Sequence, residues 1–214
     1  GAPTGDSNWK SYQQYFMDMS AAWKQDMPNI KRYYLYQIWP NSCSQGGNRH
    51  SDKLRDVQRL LPRLYSNMSV MSTLGIKPPG PAHYPPAGYA EMARLMTPLV
   101  ERDNYGKVFD KPISPPDLTK AAYTSDRKDE IALEFDQPVT WRDSLTSQFY
   151  LDEAAGQVAS GTASGRVITL KLKAPATAGK ITYLKDRSWR EDNLLYGTNG
   201  IAALTFCDVP ISGK

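Results

Sequence analysis

His83 is the side chain of this sequence best suited to moving a proton, and it is one of two histidines in the chain. It lies in a loop rich in proline and glycine, residues 78–86, that opens directly into an amphipathic segment. An imidazole changes its charge near neutral pH, and a loop at a helix entrance can hold it open to a substrate. His83 is therefore a candidate general base, with an ordinary surface histidine as the alternative interpretation.

Three amphipathic helices and two apolar strands are expected to position this loop. Apolar residues recur at helical spacing in three segments. These residues are Trp9, Tyr12, Phe16, Met19 and Trp23; Leu54, Val57, Leu61 and Leu64; and Tyr89, Met92, Ala93, Met96, Leu99 and Val100. Residues 33–39 and 68–74 read as strands, and the first is apolar on both faces, as in a sheet covered on both sides. The alternation predicts a doubly wound α/β layer with a parallel sheet.

A parallel sheet of two strands leaves its edges open and cannot bury both faces alone. We therefore expect residues 1–106 to be the C-terminal part of a larger α/β domain. Its other strands would come from an upstream segment of the same protein or from a separate chain.

The second half of the chain has a different periodicity. The density of proline over residues 107–117 predicts an extended linker. Over residues 118–214, short apolar runs alternate with period two and are separated by turns that contain glycine. These runs are residues 131–135, 149–151, 166–172, 180–184 and 201–209. They predict a small antiparallel β-sandwich that serves as an accessory domain.

Charge and hydropathy disfavour two classes of partner. The formal net charge is +4, and 22% of the residues are charged. The densest basic cluster is interrupted by Asp52 and Asp56, which predicts the solvated face of a helix rather than a nucleic-acid surface. This cluster consists of Arg49, Lys53, Arg55, Arg59 and Arg63. No apolar run reaches the ~18 residues of a membrane span, so neither a nucleic acid nor a membrane is an expected partner.

The two cysteines, Cys43 and Cys207, lie far apart in the sequence. Their spacing matches neither a zinc signature nor a redox CxxC motif. One long-range disulfide and two buried thiols both remain open. We therefore expect no metal and no cofactor.

Several short motifs occur in an order that is similar to one known family. The run Gly5-Asp6-Ser7-Asn8 precedes a helix that contains Trp23 and then the strand at residues 33–38. His83-Tyr84-Pro85 precedes Gly88 and a helix, and the segment at residues 183–201 follows among the β runs. This order resembles the middle, the catalytic D-x-x-H-P block and the trailing β domain of the sialate O-acetylesterase-like carbohydrate esterases, which are SGNH (GDSL-type) hydrolases.

The resemblance implies removal of acetyl groups from sialic acid or an acetylated polysaccharide. The family uses a serine nucleophile, a histidine base, an acid and oxyanion donors. His83 matches the base, and Asn8 matches a polar residue that lines the site. Asp6, two residues before Asn8, stands where the family usually has a glutamate. Gly80 occupies the position of the usual acid, three residues before His83. The family's nucleophilic serine, which follows the first strand of its α/β domain, has no match in this sequence.

These departures leave several interpretations of the site open. In the first interpretation another carboxylate orients His83, with Asp6 as one substitute. In the second a Ser–His pair works alone, and in the third the site is degenerate. Gly5-Asp6-Ser7 also matches the nucleophile string of GDSL hydrolases, but no strand precedes it, so we expect Ser7 to cap the first helix.

A non-catalytic carbohydrate-binding or scaffolding module is the competing interpretation. Trp141, Tyr150 and Trp189 could stack on sugar rings, although packing in a core is the simpler expectation for such residues. In either interpretation we expect a secreted or periplasmic protein, and no signal peptide is visible within the sequence.

Overall fold

The first half of the chain forms a two-stranded parallel sheet that carries helices on both faces. The computed structural model describes residues 8–40, 51–77, 83–185, 190 and 192–213. Its first elements are α1 (Asn8–Asp26), β1 (Tyr33–Gln37), α2 (Ser51–Leu60), β2 (Met68–Ser72) and α3 (Pro86–Tyr105). Strands β1 and β2 are parallel, with Tyr33 opposite Met68 and Gln37 opposite Ser72. The predicted mixed α/β architecture is confirmed at this level.

Alternate side chains of β1 enter two apolar clusters, because successive residues of a strand point to opposite faces. The cluster on the α1 side comprises Phe16, Leu61 and Met68 with Tyr12, Tyr33, Leu35 and Tyr65. The cluster on the α3 side comprises Met71, Met96 and Leu99 with Tyr34, Tyr36, Leu95, Val100, Ile113 and Ile201. The prediction that this strand is covered on both faces is confirmed.

The second half of the chain forms one sheet of eight strands. These are β3 (Leu118–Tyr123), β4 (Glu130–Phe135), β5 (Phe149–Leu151), β6 (Ala154–Ala155), β7 (Val158–Ser164), β8 (Val167–Leu172), β9 (Lys180–Tyr183) and β10 (Phe206–Ser212). Hydrogen bonding is continuous in the order β6-β5-β9-β10-β3-β4-β8-β7. Neighbouring strands are antiparallel, except that β10 runs parallel to β3.

Strand β10 allows this sheet to curl around a single core. It pairs with β9 near Phe206 and with β3 at Ile211, and between them Asp208 adopts a φ of 53°. The two ends of the sheet thereby contribute to one apolar cluster, for example Phe135 from one end and Phe149 from the other. The structure does not confirm the predicted sandwich of two separate sheets, because one continuous sheet wraps around the core.

Strand boundaries followed the period-two pattern where the inward residues are large and apolar. Strands β4, β5, β8 and β9 agree with the predicted runs, whereas β10 begins later than expected. Strands β3 and β7 were not predicted, and neither was the two-residue strand β6. The sequences of β3 and β7, LTKAAY and VASGTAS, contain mostly small and polar residues, and pairing with β4 and β8 gives them their strand conformation.

Trp141 lies flat against the backbone of β7, and Gly161 provides the space for it. A Cβ atom at Gly161 would overlap the indole ring, which also stacks on Phe149 with centroids 6.0 Å apart. Trp141 therefore packs against the sheet core.

We expect Gly161→Ala to destabilise the protein by about 1–3 kcal/mol, because the added methyl group overpacks this contact or displaces the indole. Urea denaturation measures the change. Gly213→Ala is the matched control, because nothing lies within 4 Å of a Cβ at Gly213. Equal stability of the two variants would show that Trp141 moves away from the sheet at no cost.

Helix α2 buries its polar face, which corrects the expectation of a solvated basic surface. Arg55 is 0% exposed and Arg59 is 4% exposed. Leu64, from the expected apolar stripe, is instead 56% exposed. The prediction was wrong for Arg55 and Arg59 because helical periodicity does not reveal polar partners that lie elsewhere in the chain. With these two guanidinium groups buried, the hypothesis of a nucleic-acid surface on this helix loses its main residues.

The apolar face of α1 is covered over only part of its width. Phe16 is buried, as predicted, but Met19 is 39% and Trp23 is 38% exposed. Tyr15, one turn before Met19, is 51% exposed. Trp23 rests partly on the ring of Tyr33, with centroids 6.4 Å apart. The flank of α1 formed by Tyr15, Met19 and Trp23 thus extends beyond what the described elements cover.

Polar contacts connect the two halves of the chain. Residues 106–117, between α3 and β3, contain neither helix nor strand. The Gln37 side chain binds the backbone of Thr205 through two hydrogen bonds of 2.9 and 2.8 Å. The division into residues 1–106, 107–117 and 118–214 stays a prediction. Among the described helices, none combines the length and apolar character needed to cross a membrane.

Candidate functional site

The carboxyl ends of β1 and β2 lie side by side and form the edge on which a site can be built. The Thr73 hydroxyl, directly after β2, donates a 2.8 Å hydrogen bond to the carbonyl oxygen of Gln37. Thr73 is 5% exposed, and Gln37 is 1% exposed. In α/β sheets, ligands bind outside the carboxyl ends of parallel strands. This contact fixes the relative position of the two strand ends.

Tyr84 holds the segment that contains His83 against this edge. Its hydroxyl donates a 3.0 Å hydrogen bond to the carbonyl oxygen of Thr73. Its ring meets Trp39, two residues beyond β1, edge to face with centroids 5.7 Å apart. The Cα atom of His83 is about 3.8 Å from that of Tyr84 across the peptide bond. His83 is therefore located at the carboxyl edge, and it is exposed.

Helix α3 begins three residues after His83, at the second of two consecutive prolines. Pro85 is extended, with φ −66° and ψ 164°, and Pro86 is the first helical residue. Proline suits this position because the amide it lacks would have no partner within the helix. The carbonyl oxygen of Pro85 accepts hydrogen bonds from Gly88 at 2.8 Å and Tyr89 at 3.2 Å. The predicted helix start near residue 86 agrees with the structure.

Only part of the predicted site lies within the residues that the structure describes. Within the described residues, no hydrogen bond or ion pair joins His83 to another residue. Asp6, Ser7 and Gly80 lie outside the described residues. Asn8 is the first residue of α1. The roles proposed for Asp6, Asn8 and His83 therefore stay predictions.

A buried polar layer supports the strand end below His83, and the sequence did not reveal it. Gln37 donates to the carbonyl oxygens of Arg55 and Thr205, both at 2.9 Å. Arg55 donates to the Thr205 hydroxyl at 2.9 Å and the Ser51 hydroxyl at 3.0 Å. It also donates to the carbonyl oxygen of Leu184 at 2.8 Å. This layer connects the end of β1 to α2 and to the chain before β10. A glutamine at the end of an apolar strand was its one sequence signal.

A second part of this layer fills the gap between β3 and β10. Asp56 accepts a 3.1 Å hydrogen bond from the amide of Cys207, while Arg59 pairs with Asp56 at 2.8 Å and Asp117 at 2.9 Å. Arg59 also donates to the carbonyl oxygen of Leu118 at 3.2 Å. Two side chains of α2 thus replace backbone pairing where the strands separate.

Burial governs the titration of this part. It raises the pKa of Asp56 above its usual range, and the adjacent Arg59 guanidinium only partly opposes that shift. Burial opposes the charged form of Arg59, but the carboxylates of Asp56 and Asp117 raise its pKa. Burial also raises the pKa of the Cys207 thiol, with nearby Asp52 and Asp208 adding to the effect. A thiol of raised pKa is a poor nucleophile. The cluster therefore has a structural character.

Acidic, histidine and cysteine side chains are the usual protein ligands of metal ions. Within residues 8–40, 51–77, 83–185, 190 and 192–213, no group of three or more of these side chains is arranged to hold a metal ion.

Comparison with known proteins concerns families, curated sequences and solved structures. No family model and no curated protein matches the sequence. A solved carbohydrate acetylesterase from Xanthomonas citri superposes with a TM-score of 0.74 at 15% identity. The match covers 95% of this chain and 47% of that chain, so the sequence spans about half of the solved structure. An S-layer protein also matches, but its TM-score of 0.37 supports no conclusion. At this low identity the likeness concerns the fold: the chain has a mixed α/β fold like that of a carbohydrate esterase.

Proposed function

We propose that this chain is the His83-bearing part of a serine-type carbohydrate O-acetylesterase. One observation carries the proposal: His83 is exposed at the carboxyl edge of the parallel strands, beside a tyrosine bound to Thr73. The fold-level likeness to a carbohydrate acetylesterase supports the same reaction class. The SGNH type, the trailing β-sandwich domain and the sugar, sialic acid or an acetylated polysaccharide, belong to this proposal.

The chemistry requires a base that reaches both a nucleophile and a leaving group. A serine hydroxyl is a weak nucleophile near neutral pH, so the imidazole of His83 takes its proton as the oxygen attacks the acetyl carbonyl. The proton then passes to the sugar oxygen as the ester bond breaks. Water, activated by the same imidazole, releases acetate from the serine. Hydrogen-bond donors aimed at the carbonyl oxygen stabilise the negative charge that develops on it.

The nucleophile comes from a partner segment that completes the α/β layer. Among the described residues, β1 has a strand neighbour on one edge, β2. The exposed flank of α1, with Tyr15, Met19 and Trp23, is an apolar surface suited to burial. We propose that the N-terminal half of the same protein covers both the open edge of β1 and the flank of α1. That half is either an upstream segment or a separate chain. Further strands would pair with the open edge of β1 and place a serine near His83.

We call the assembly of this chain with its proposed N-terminal half the native protein. It is expected to hydrolyse p-nitrophenyl acetate and to release acetate from acetylated polysaccharide, whereas the 214-residue chain alone is inactive. The reason is that the chain supplies the base without the nucleophile. Release of nitrophenolate and of acetate measures both activities. Equal activity of the isolated chain would place the nucleophile within it. Absence of hydrolysis by the native protein would refute the esterase proposal.

The alternative function, a carbohydrate-binding module, depends on aromatic residues of the β half. Tyr150 is 7% exposed, and Trp141 packs against β7 over Gly161. Trp189 lies outside the described residues. Trp141 and Tyr150 thus take part in packing, and the carbohydrate-binding module stays the alternative proposal.

A further inference from the structure

Tyr89 presents an exposed aromatic ring close to His83. It lies in the first turn of α3 and is 47% exposed. Its ring contacts Tyr84, the residue after His83, with centroids 6.0 Å apart and planes inclined at 69°. Tyr84 in turn contacts Trp39, so three aromatic rings follow one another along the edge that holds His83. Tyr89 is the member of this series that is exposed.

The ring of Tyr89 is supported in place. Its backbone amide donates to the carbonyl oxygen of Pro85, and two prolines precede it at residues 85 and 86. Tyr84, on which the ring rests, is bound to Thr73. A ring that is already immobilised loses little conformational entropy when a ligand covers it. Within the described residues, α3 contributes Met96 and Leu99 to the apolar core, and Tyr89 is not a member of that cluster.

We propose that the sugar ring of the substrate stacks on Tyr89 while its acetyl group faces His83. This inference rests on the proposed esterase function and adds the residue that selects a sugar over a simple ester. The face of an aromatic ring carries negative charge, which attracts the polarised C–H groups on the apolar face of a pyranose. The hydroxyl groups around the sugar stay in water, so the contact requires no buried polar partner.

The test compares two acetyl esters in the native protein. One is an acetylated xylo-oligosaccharide, and the other is ethyl acetate, which has no ring to stack. In Tyr89→Ala, KM for the oligosaccharide is expected to rise about three- to tenfold with kcat nearly unchanged, while kcat/KM for ethyl acetate stays the same. Tyr89→Phe keeps the ring and should keep the wild-type values.

Tyr105→Ala is the matched control. Tyr105 is 82% exposed at the other end of the same helix. Its replacement should leave KM for the oligosaccharide and kcat/KM for ethyl acetate unchanged. An equal loss of kcat/KM on both esters in Tyr89→Ala would overturn the proposal, because it would assign Tyr89 a structural role or a contact with the partner segment. Unchanged values for both esters would also overturn it.

A binding measurement separates this inference from the esterase proposal. If the native protein hydrolyses neither ester, the acetylated oligosaccharide is titrated against it by calorimetry. A three- to tenfold weaker Kd in Tyr89→Ala would then support stacking at Tyr89 without catalysis. Equal affinity of the two proteins, or no binding to the native protein, would refute it.

Discussion

Replacing His83 with alanine is expected to lower kcat/KM for acetyl ester hydrolysis by the native protein about 10²–10⁴-fold. The loss follows from the removal of the group that takes the serine proton and returns it to the leaving oxygen. Initial rates with p-nitrophenyl acetate and with acetylated oligosaccharide measure it. Because His83 is exposed, added imidazole should reach the vacated position and restore part of the activity.

The second histidine of the chain is the natural control for this variant. His50→Ala should retain the wild-type rate, and far-UV circular dichroism should show that both variants remain folded. A full rate in His83→Ala would remove His83 from the mechanism. Loss of the rate in His50→Ala instead would transfer the role of the base to that residue.

The second large effect concerns stability. Arg55→Ala is expected to lower the free energy of unfolding by about 2–5 kcal/mol. The Arg55 guanidinium is fully buried and donates to Thr205, Ser51 and Leu184, so truncation leaves these acceptors unsatisfied around a cavity. Equilibrium denaturation in urea measures the change through a lower midpoint at constant slope.

Arg63→Ala provides the comparison, because Arg63 is exposed just beyond α2. Its replacement should change the stability by no more than about 0.5 kcal/mol. If Arg55→Ala were equally harmless, the polar face of α2 would be solvated, as its sequence alone suggests. The pair of variants thus decides between a buried polar layer and a basic surface helix.

The sequence predicted α3 well because its signals are local. Pro86 suits the first turn of a helix, and Gly106 ends the helix with a φ of 66°, a conformation that favours glycine. Strand β1 was equally accessible, since residues 33–36 are aromatic or apolar at successive positions. In both cases the decisive information lies within a few residues.

Prediction failed where a residue depends on a distant partner. Arg55 and Arg59 carry charge at helical spacing, and such residues are normally solvated. Their acceptors at Thr205, Leu184 and Asp117 lie far away in the sequence. Strand β3 depends in the same way on β4 and β10, because its own sequence is only weakly apolar.

The same distinction between local patterns and distant partners applies to the candidate site. The position of His83 after a strand and before a helix could be predicted from local patterns, because hydrophobic periodicity and proline chemistry act over a few residues. The bond from Tyr84 to Thr73 and the bond from Gln37 to Thr205, 168 residues away, became known from the fold. Such contacts form when strand ends and loops from separate parts of the chain meet, and no short pattern specifies which acceptor a buried amide or hydroxyl will find.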